Sequence, residues 1–301
     1  MLNRTRSKLL PAVLLLLAGS VGGCGIGSQA RPAATQESTQ AESARARLMA
    51  NDGGQLVLAA IDAHGGLDAW YDTPTSAFAW EYSNVGMGFR FKSYQVADNR
   101  TRQIYHELRS LGTPADPRPA AGRFAWDGTD AWIHPAAIDA INARFWATTP
   151  YYFQLIPFVL ADPGARYTRL APADLDGVLC DMVRVGYESG VGDSPGDSYT
   201  LYVDQESRRV RAIRYTVTYF SGKPPSDEPP THETLFYYHD YITVDGLTVP
   251  TRFRGFLYRD GQMGDFKNEA WATEIGFRLP FDESRLIAPE GARVQAPPSR
   301  Q

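Results

Sequence analysis

Cysteine is scarce in this 301-residue chain, which has only Cys24 and Cys180. If Cys24 carries a lipid, no disulfide can form within the chain, and a zinc site with two or more cysteine ligands is excluded. Cys180 lies in a mostly apolar stretch, where an unpaired thiol packs as a small hydrophobic group. We therefore expect Cys180 in the core, and we expect no metal and no cofactor.

The sequence also lacks a surplus of positive charge. It has 30 Lys and Arg against 34 Asp and Glu, a net charge of −4, and removal of residues 1–23 would delete three cations and lower it to −7. Binding to a phosphate backbone needs clustered Lys and Arg, so nucleic acid is excluded as a partner. With 43% hydrophobic, 12% aromatic and 21% charged residues, the chain can instead bury a sizeable core.

The chain has no apolar run of the length that a membrane-spanning helix needs. The run at residues 9–18 follows three cations and is shorter than the roughly 20 residues that cross a bilayer, so it is typical of a secretory signal. Residues 21–24, VGGC, resemble the bacterial lipobox, in which cleavage precedes the cysteine and a diacylglycerol is attached to its sulfur. We expect lipidation at Cys24, and the alternative is an ordinary signal with a chance cysteine. Gly25 in the next position favours the outer membrane, with the protein facing the periplasm.

Composition divides the chain into four parts. Residues 1–23 are the signal peptide, and residues 24–52 are poor in aromatics and read as a flexible tether from lipidated Cys24. The folded domain covers residues 53–281, and residues 282–301, which end in APPSRQ, form a disordered tail.

The folded part begins with one helix and continues mainly as strands. Small and apolar residues at helical spacing over 56–63 precede Gly65 and Gly66, which stop a helix, and His64 would cap it. Alternating residues then predict strands, and Asp127-Gly128 and Asp245-Gly246 predict hairpin turns. The expected fold class is mainly β with helices (α+β), built on an antiparallel meander.

Residues 135–160 break the strand pattern and predict two short helices. Residues 151–160 are almost entirely apolar and aromatic. A sheet with one apolar face must be covered, so these helices either seal the core or form a lid above an apolar ligand.

Catalytic and metal motifs are weak. Residues 192–196, GDSPG, match the nucleophile-elbow pattern, but Pro195 has no N–H to donate to an oxyanion and a strand follows where a helix is required. We therefore interpret Ser194 as a turn residue. Asp193 and Asp197 could reach a calcium ion, although the EF-hand spacing is missing, and the five histidines are scattered. We expect no catalytic residue.

Four segments carry a resemblance to a known group of proteins. Residues 64–70 (HGGLDAW), 156–160 (IPFVL), 196–204 (GDSYTLYVD) and 241–251 (YITVDGLTVPT) resemble uncharacterised exported bacterial proteins that are similar in fold to the outer-membrane lipoprotein-sorting (Lol, LolA/LolB-like) carriers and receptors. The resemblance covers about residues 54–280. It implies an incomplete antiparallel barrel with helices over a concave apolar face, which holds acyl chains in the Lol proteins.

Three functions compete at this point. The first is a membrane-anchored protein that binds an acyl chain, a lipid or an acylated protein; the second is an assembly or scaffold lipoprotein with an unidentified protein partner; the third is an enzyme. Under the first, the ligand site is lined by aromatic residues of the sheet, Phe78 among them, and by the lid over residues 151–160. The residues expected at the site are Trp80, Tyr82, Tyr152, Phe153, Ile156, Phe158, Phe236 and Tyr238.

Overall fold

The computed structural model describes residues 33–188, 193–194, 196–220 and 232–295. The signal peptide and Cys24 lie outside the described residues. The helices are α1 Ala33–Met49, α2 Asp52–Ala63, α3 Leu67–Tyr71 and α4 Ala143–Gln154, with short 3-10 helices at Phe158–Ala161 and Glu283–Leu286. None of the described helices is both long and apolar enough to cross a membrane.

The strands lie in two sheets. Their bounds are β1 Thr75–Asn84, β2 Phe89–Asp98, β3 Ile104–Gly112, β4 Pro117–Trp126, β5 Ala131–His134, β6 Ala165–Leu175, β7 Val178–Tyr187, β8 Tyr199–Asp204, β9 Val210–Tyr215, β10 His232–His239, β11 Ile242–Val244, β12 Leu247–Val249, β13 Arg252–Arg259, β14 Gln262–Phe277 and β15 Arg293–Gln295. The main sheet has the order β15-β5-β4-β3-β2-β1-β14-β13-β10-β9-β8-β7-β6, and its paired strands are antiparallel. Within the described strands β15 and β6 are its two edges, so the sheet is open.

The main sheet curls around helix α4. Ring nitrogen Nε2 of His106 on β3 donates to the carbonyl oxygen of Ala147 at 2.9 Å, while the ring of Phe153 lies 6.3 Å from that of Tyr199 on β8. Seven strand spacings, about 34 Å in a flat sheet, separate β3 from β8. Six helical residues cover only about 9 Å. The sheet must therefore be concave towards α4, and this is the incomplete barrel that the resemblance to the Lol proteins implies.

The helices and the concave face share one continuous core. Phe78 and Trp80 of β1 and Phe236 of β10 are buried in it, as are residues of all four helices. A smaller, separate cluster of buried residues contains Cys180, which is fully buried as expected. Burial raises the pKa of the Cys180 thiol to about 11.

Helix α2 ends where the sequence indicates and begins four residues before the predicted helical spacing. The side chain of Asn51 accepts from the backbone N–H of Gly54 at 2.8 Å, and the helix stops before His64 and Gly65, whose φ is +126°. A Cβ on Gly54 would lie 2.2 Å from the carbonyl oxygen of Leu48, so a side chain here would separate α2 from the end of α1.

The expectation of a flexible tether over 24–52 is wrong for residues 33–49, which form α1. Its face with Ala41, Ala44 and Leu48 is buried, because alanines allow the helix to approach its neighbours closely. This stripe is too narrow and too weakly apolar to stand out in a polar sequence.

The expectation of a disordered tail over 282–301 is wrong for residues up to 295. The indole N–H of Trp132 donates to the carbonyl oxygen of Leu286 at 2.7 Å, and β15 pairs with β5. These contacts are between residues far apart in sequence, so the tail's composition does not reveal them.

The two predicted hairpin turns differ. Asp245 (φ 49°) and Gly246 (φ 87°) connect Val244 directly to Leu247, as a type I′ turn requires. Asp127 instead begins a four-residue loop and accepts from two backbone N–H groups with its side chain. The hairpin at Asp245 is short: β11 and β12 form their own two-stranded sheet, while β10 pairs with β13.

Candidate functional site

A cavity of about 320 Å³ lies beside α4, near the end of β7 and the start of β8. Its lining combines aromatic rings with a few charged groups, and consists of Arg102, Trp126, Arg144, Phe145, Thr148, Thr149, Tyr151, Tyr152, Phe153, Val159, Asp162, Tyr187, Asp193, Ser194, Asp197, Tyr199, Val217 and Tyr219. The volume is at the lower end of the range of ligand sites.

The cavity wall is built from tyrosines whose rings meet in tilted and edge-to-face contacts. The ring of Tyr152 on α4 lies 5.2 Å from that of Tyr199 on β8 and 6.5 Å from that of Tyr187 on β7. The hydroxyl oxygens of Tyr152 and Tyr187 are buried and have no hydrogen-bond partner among the described residues. An unpartnered buried hydroxyl is unfavourable, so these two groups lower the stability of the wall.

An exposed apolar rim adjoins the cavity. The ring of Phe145 lies 5.3 Å from that of Tyr219 and 5.1 Å from that of Phe220. Phe220 is 70% exposed and Val217 is 43% exposed. Large apolar groups at the rim of a cavity are typical of a site that admits an apolar ligand.

One end of the cavity carries acidic groups that already have partners. Asp193 accepts two hydrogen bonds from Arg144, at 2.5 and 3.0 Å, and the Arg144 side chain is only 6% exposed. Asp197 accepts from the backbone N–H and the hydroxyl of Thr218. Desolvation by burial raises the pKa of Asp197 to about 6, despite these hydrogen bonds.

The turn prediction for the GDSPG string is confirmed where the structure describes it. The backbone N–H of Asp197 donates to the carbonyl oxygen of Ser194 at 3.0 Å, and Gly192 and Pro195 lie outside the described residues. In the described ranges no group of three His, Cys, Asp or Glu side chains could hold a metal ion.

An ion pair closes the other end of the cavity. Arg102 donates to Asp162 at 2.6 Å and to the hydroxyl of Tyr151 at 2.5 Å. These bonds tie the turn between β2 and β3 to α4 and to the end of the first 3-10 helix. Burial raises the pKa of Tyr151, so its hydroxyl stays protonated.

Of the eight residues predicted to line a ligand site, the structure places only Tyr152 and Phe153 at this cavity. All eight belong to, or pack against, the one continuous core. The others fill the concave face or its helical cover: Trp80, Tyr82, Ile156, Phe158, Phe236 and Tyr238.

Contacts within the helical cover, and between this cover and the sheet, explain why the centre is filled. The rings of Phe158 and Trp70 stack at 5.1 Å, and Tyr82 lies 5.0 Å from Trp146. The hydroxyl of Tyr238 donates to the carbonyl oxygen of Phe153 at 2.9 Å. Residues 151–160 therefore seal the centre of the core, and the open volume lies to one side of them.

The sequence did not predict the other aromatic residues that line the cavity. Tyr199 alternates with buried Leu201 and Val203, so its inward direction is visible in the sequence. Phe145 and Tyr219 give no such signal, because each becomes a site residue only through contact with a distant segment.

Comparison with known proteins supports the fold. No family model and no curated protein matches the sequence. A DUF1329 family protein from Desulfovibrio piger matches with a TM-score of 0.51 and 9% identity, over 79% of this chain and 98% of its own. At this identity the similarity concerns the fold alone.

Two further solved structures have lower scores. A LolA superfamily protein from Nitrosomonas europaea has a TM-score of 0.45 and 10% identity, over 77% of this chain and 96% of its own. An outer membrane lipoprotein-sorting protein domain from Vibrio parahaemolyticus has a TM-score of 0.39 and 9% identity, over 84% of this chain and 97% of its own.

Proposed function

We propose that this chain is a non-catalytic, lipid-anchored envelope protein that binds one acyl chain, or an apolar ligand of similar size, in the cavity beside α4. The observation that carries the proposal is the aromatic cavity next to an exposed apolar rim. Burial contributes roughly 25 cal/mol for each Å² of apolar surface, so one chain can offset the cost of being ordered.

The size of the cavity supports one chain rather than several. The volume of about 320 Å³ lies near the lower end of the range of about 300–1,000 Å³ for ligand sites. A lipoprotein anchor with three acyl chains would need considerably more space. The proposed ligand is therefore a single-chain lipid or the exposed end of one chain.

The proposal also includes the anchor at Cys24 and attachment to the outer membrane, facing the periplasm. Eight residues, 25–32, separate Cys24 from the start of α1. Even fully extended, they span at most about 30 Å. With a lipid on Cys24, helix α1 would remain within that distance of the membrane, close to a source of acyl chains.

A second candidate function is a scaffold or assembly lipoprotein without a small ligand. It is favoured by the filled centre of the concave face, where Trp80, Phe158 and Phe236 are buried against the helices. The two candidates differ in whether saturable binding of an apolar molecule can be measured.

Displacement of a fluorescent fatty acid tests the proposal. Val217→Asp places a charge at the cavity while changing a residue that is 43% exposed, so we expect the Kd to rise about tenfold or more with little change in Tm. Leu179→Asp is the matched control, because Leu179 is 53% exposed on β7 but lies eight residues, about 26 Å, from Tyr187.

Each outcome decides between the candidates. An unchanged Kd in Leu179→Asp and a weakened one in Val217→Asp support the cavity. Unchanged binding by Val217→Asp would exclude this cavity as the site, and the absence of saturable binding by the wild type would favour the scaffold.

A further inference from the structure

The aromatic cavity beside α4 contains one charge that is not paired. Its lining holds the two arginines Arg102 and Arg144 and the three aspartates Asp162, Asp193 and Asp197. Arg102 is paired with Asp162, and Arg144 is paired with Asp193. Asp197 forms no ion pair with any of the described residues. The charged groups around the cavity therefore leave one negative charge without a counter-charge.

One carboxylate oxygen of Asp197 is left for a ligand. The hydrogen bonds from the backbone N–H and the hydroxyl of Thr218 both end on Oδ1. Neither donor is charged, and Oδ2 has no hydrogen-bond partner within the described ranges. Desolvation raises the pKa of Asp197 to about 6, so the group is still mostly ionised at pH 7.5. A partly buried anion without a cation beside it is unfavourable, and a cationic ligand would offset this cost.

Three tyrosine rings form a corner near this carboxylate. The ring of Tyr187 lies 6.5 Å from that of Tyr152 and 6.3 Å from that of Tyr199, and the ring planes of these two pairs are inclined by 70° and 84°. Burial, and after it the charge of Asp197, raises the pKa of Tyr187 and of Tyr199. The carboxylate is therefore close to both of these rings.

Aromatic faces and a carboxylate favour the same kind of ligand. The face of an aromatic ring is the negative side of its quadrupole, and it attracts a cation within about 6 Å of the ring centre. Rings that are inclined to one another can present their faces to one cation from different sides, as in the aromatic cages that bind ammonium groups. An anionic group would instead be repelled by Asp197.

We infer that the Asp197 end of the cavity binds an ammonium group, and that the ligand is a single-chain amphiphile with an ammonium head. The inference rests on the proposed function, to which it adds the chemistry of the head. The ammonium donates to Oδ2 of Asp197 and lies against the tyrosine rings. Val217 precedes Thr218, lines the cavity and is exposed, so the head lies near the mouth. The chain then runs along α4 towards the Arg102–Asp162 pair.

The test compares decylammonium with decanol at pH 7.5, by displacement of a fluorescent fatty acid. The two probes share a chain and have heads of similar size, but only the ammonium is charged. We expect wild-type protein to bind decylammonium about tenfold more tightly than decanol, because the carboxylate and the rings both attract the cation. In Asp197→Asn the preference should fall to about twofold, since only the rings remain.

Two kinds of control accompany this variant. Asp139→Asn removes the same charge at a side chain that is 87% exposed and lies outside the cavity lining, and it should keep the preference of the wild type. Tyr187→Phe keeps the aromatic ring and should also keep the preference. Tyr187→Leu removes the ring and should lower the preference to about threefold. Equal losses in Asp139→Asn and Asp197→Asn would mean that net charge selects the cation, and would overturn the inference.

The remaining outcomes separate this inference from the proposed function. Equal affinity of the wild type for decylammonium and decanol, or a preference that survives in Asp197→Asn, would overturn the ammonium site and leave the acyl-chain site standing. Methylammonium has no chain. If it binds as tightly as decylammonium and loses its binding in Asp197→Asn, the acyl-chain site is overturned, and with it the amphiphile, while the ammonium site stands. No binding of any of the three probes would remove both.

Discussion

The centre of the concave face and its flank beside α4 are built from the same kinds of residue but differ in packing. In the centre, Phe158 is fully buried and Trp80 is 2% exposed. At the flank, aromatic rings surround an open volume and Val217 reaches solvent. A 12-residue helix covers only part of a sheet that is curled over many strands. The uncovered part is where a ligand can be held without displacing the core.

Buried polar groups do not show the same contrast. His106 in the centre uses both ring nitrogens, with Ser93 and with the carbonyl oxygen of Ala147. At the flank the hydroxyls of Tyr152 and Tyr187 have no partner among the described residues. In the centre the buried indole N–H of Trp80 and both atoms of the Gln95 amide also lack a partner there. The two regions therefore differ in packing and not in the pairing of their buried polar groups.

Truncation at the centre should have the largest effect. Phe158→Ala removes a fully buried ring that stacks on Trp70, so we expect the free energy of unfolding to fall by about 3–5 kcal/mol. Val217→Ala at the flank should change it by less than about 0.5 kcal/mol. Urea unfolding of both variants measures the difference. Comparable losses at the two positions would show that the flank is as tightly packed as the centre.

The sequence predicts the centre better than the flank for a physical reason. Phe78 and Trp80 alternate along one strand, and alternation directly reports which side chains share a face of a sheet. The two short helices over 135–160 follow in the same way from helical spacing, and both are observed.

The flank could not be predicted, because it forms where separate segments meet. Phe145 and Tyr219 are 74 positions apart, and their contact depends on the curvature of the sheet. Arg47 lies in a segment whose composition indicates a flexible tether, yet α1 places it where it donates to the carbonyl oxygen of Ala161. A volume that a fold leaves empty has no local pattern in the sequence.

A fall in pH should lower the free energy of unfolding through two buried histidines. Burial lowers the pKa of His64 to about 4 and that of His106 to about 3, against 6.5 for an ordinary histidine. The unfolded chain therefore binds more protons below pH 6.5, and stability is lost as the pH falls from there towards the folded pKa values. Between pH 7 and pH 5 we expect a loss of about 2–4 kcal/mol in the free energy of unfolding. Urea titrations at several pH values measure it, and a stability that is constant or greater at pH 5 would contradict the role of the histidines.

The carboxyl of Asp197 should respond to pH in the opposite direction. Its pKa of about 6 in the folded protein exceeds the ordinary 3.8, so the folded state holds the proton more tightly. Stability from this group is present below about pH 4 and is lost as the pH rises through 6. The shift corresponds to at most about 3 kcal/mol, and we expect about 1 kcal/mol after solvent screening of a partly exposed group.

Asp197→Asn tests this smallest effect, because asparagine removes the charge and keeps an oxygen that can accept from Thr218. The variant should be about 1 kcal/mol more stable than the wild type at pH 7.5 and equal to it at pH 4. The variant should also lose more stability than the wild type between pH 7 and pH 5. In the wild type, protonation of Asp197 adds stability over this range and partly offsets the loss from the two histidines, and the variant lacks that gain. Asp139→Asn, at a side chain that is 87% exposed, should follow the wild type throughout. If Asp197→Asn is instead less stable than the wild type at pH 7.5, the charged carboxylate stabilises the flank. The cavity would then be stabilised by its charges, whereas the centre is stabilised by its packing.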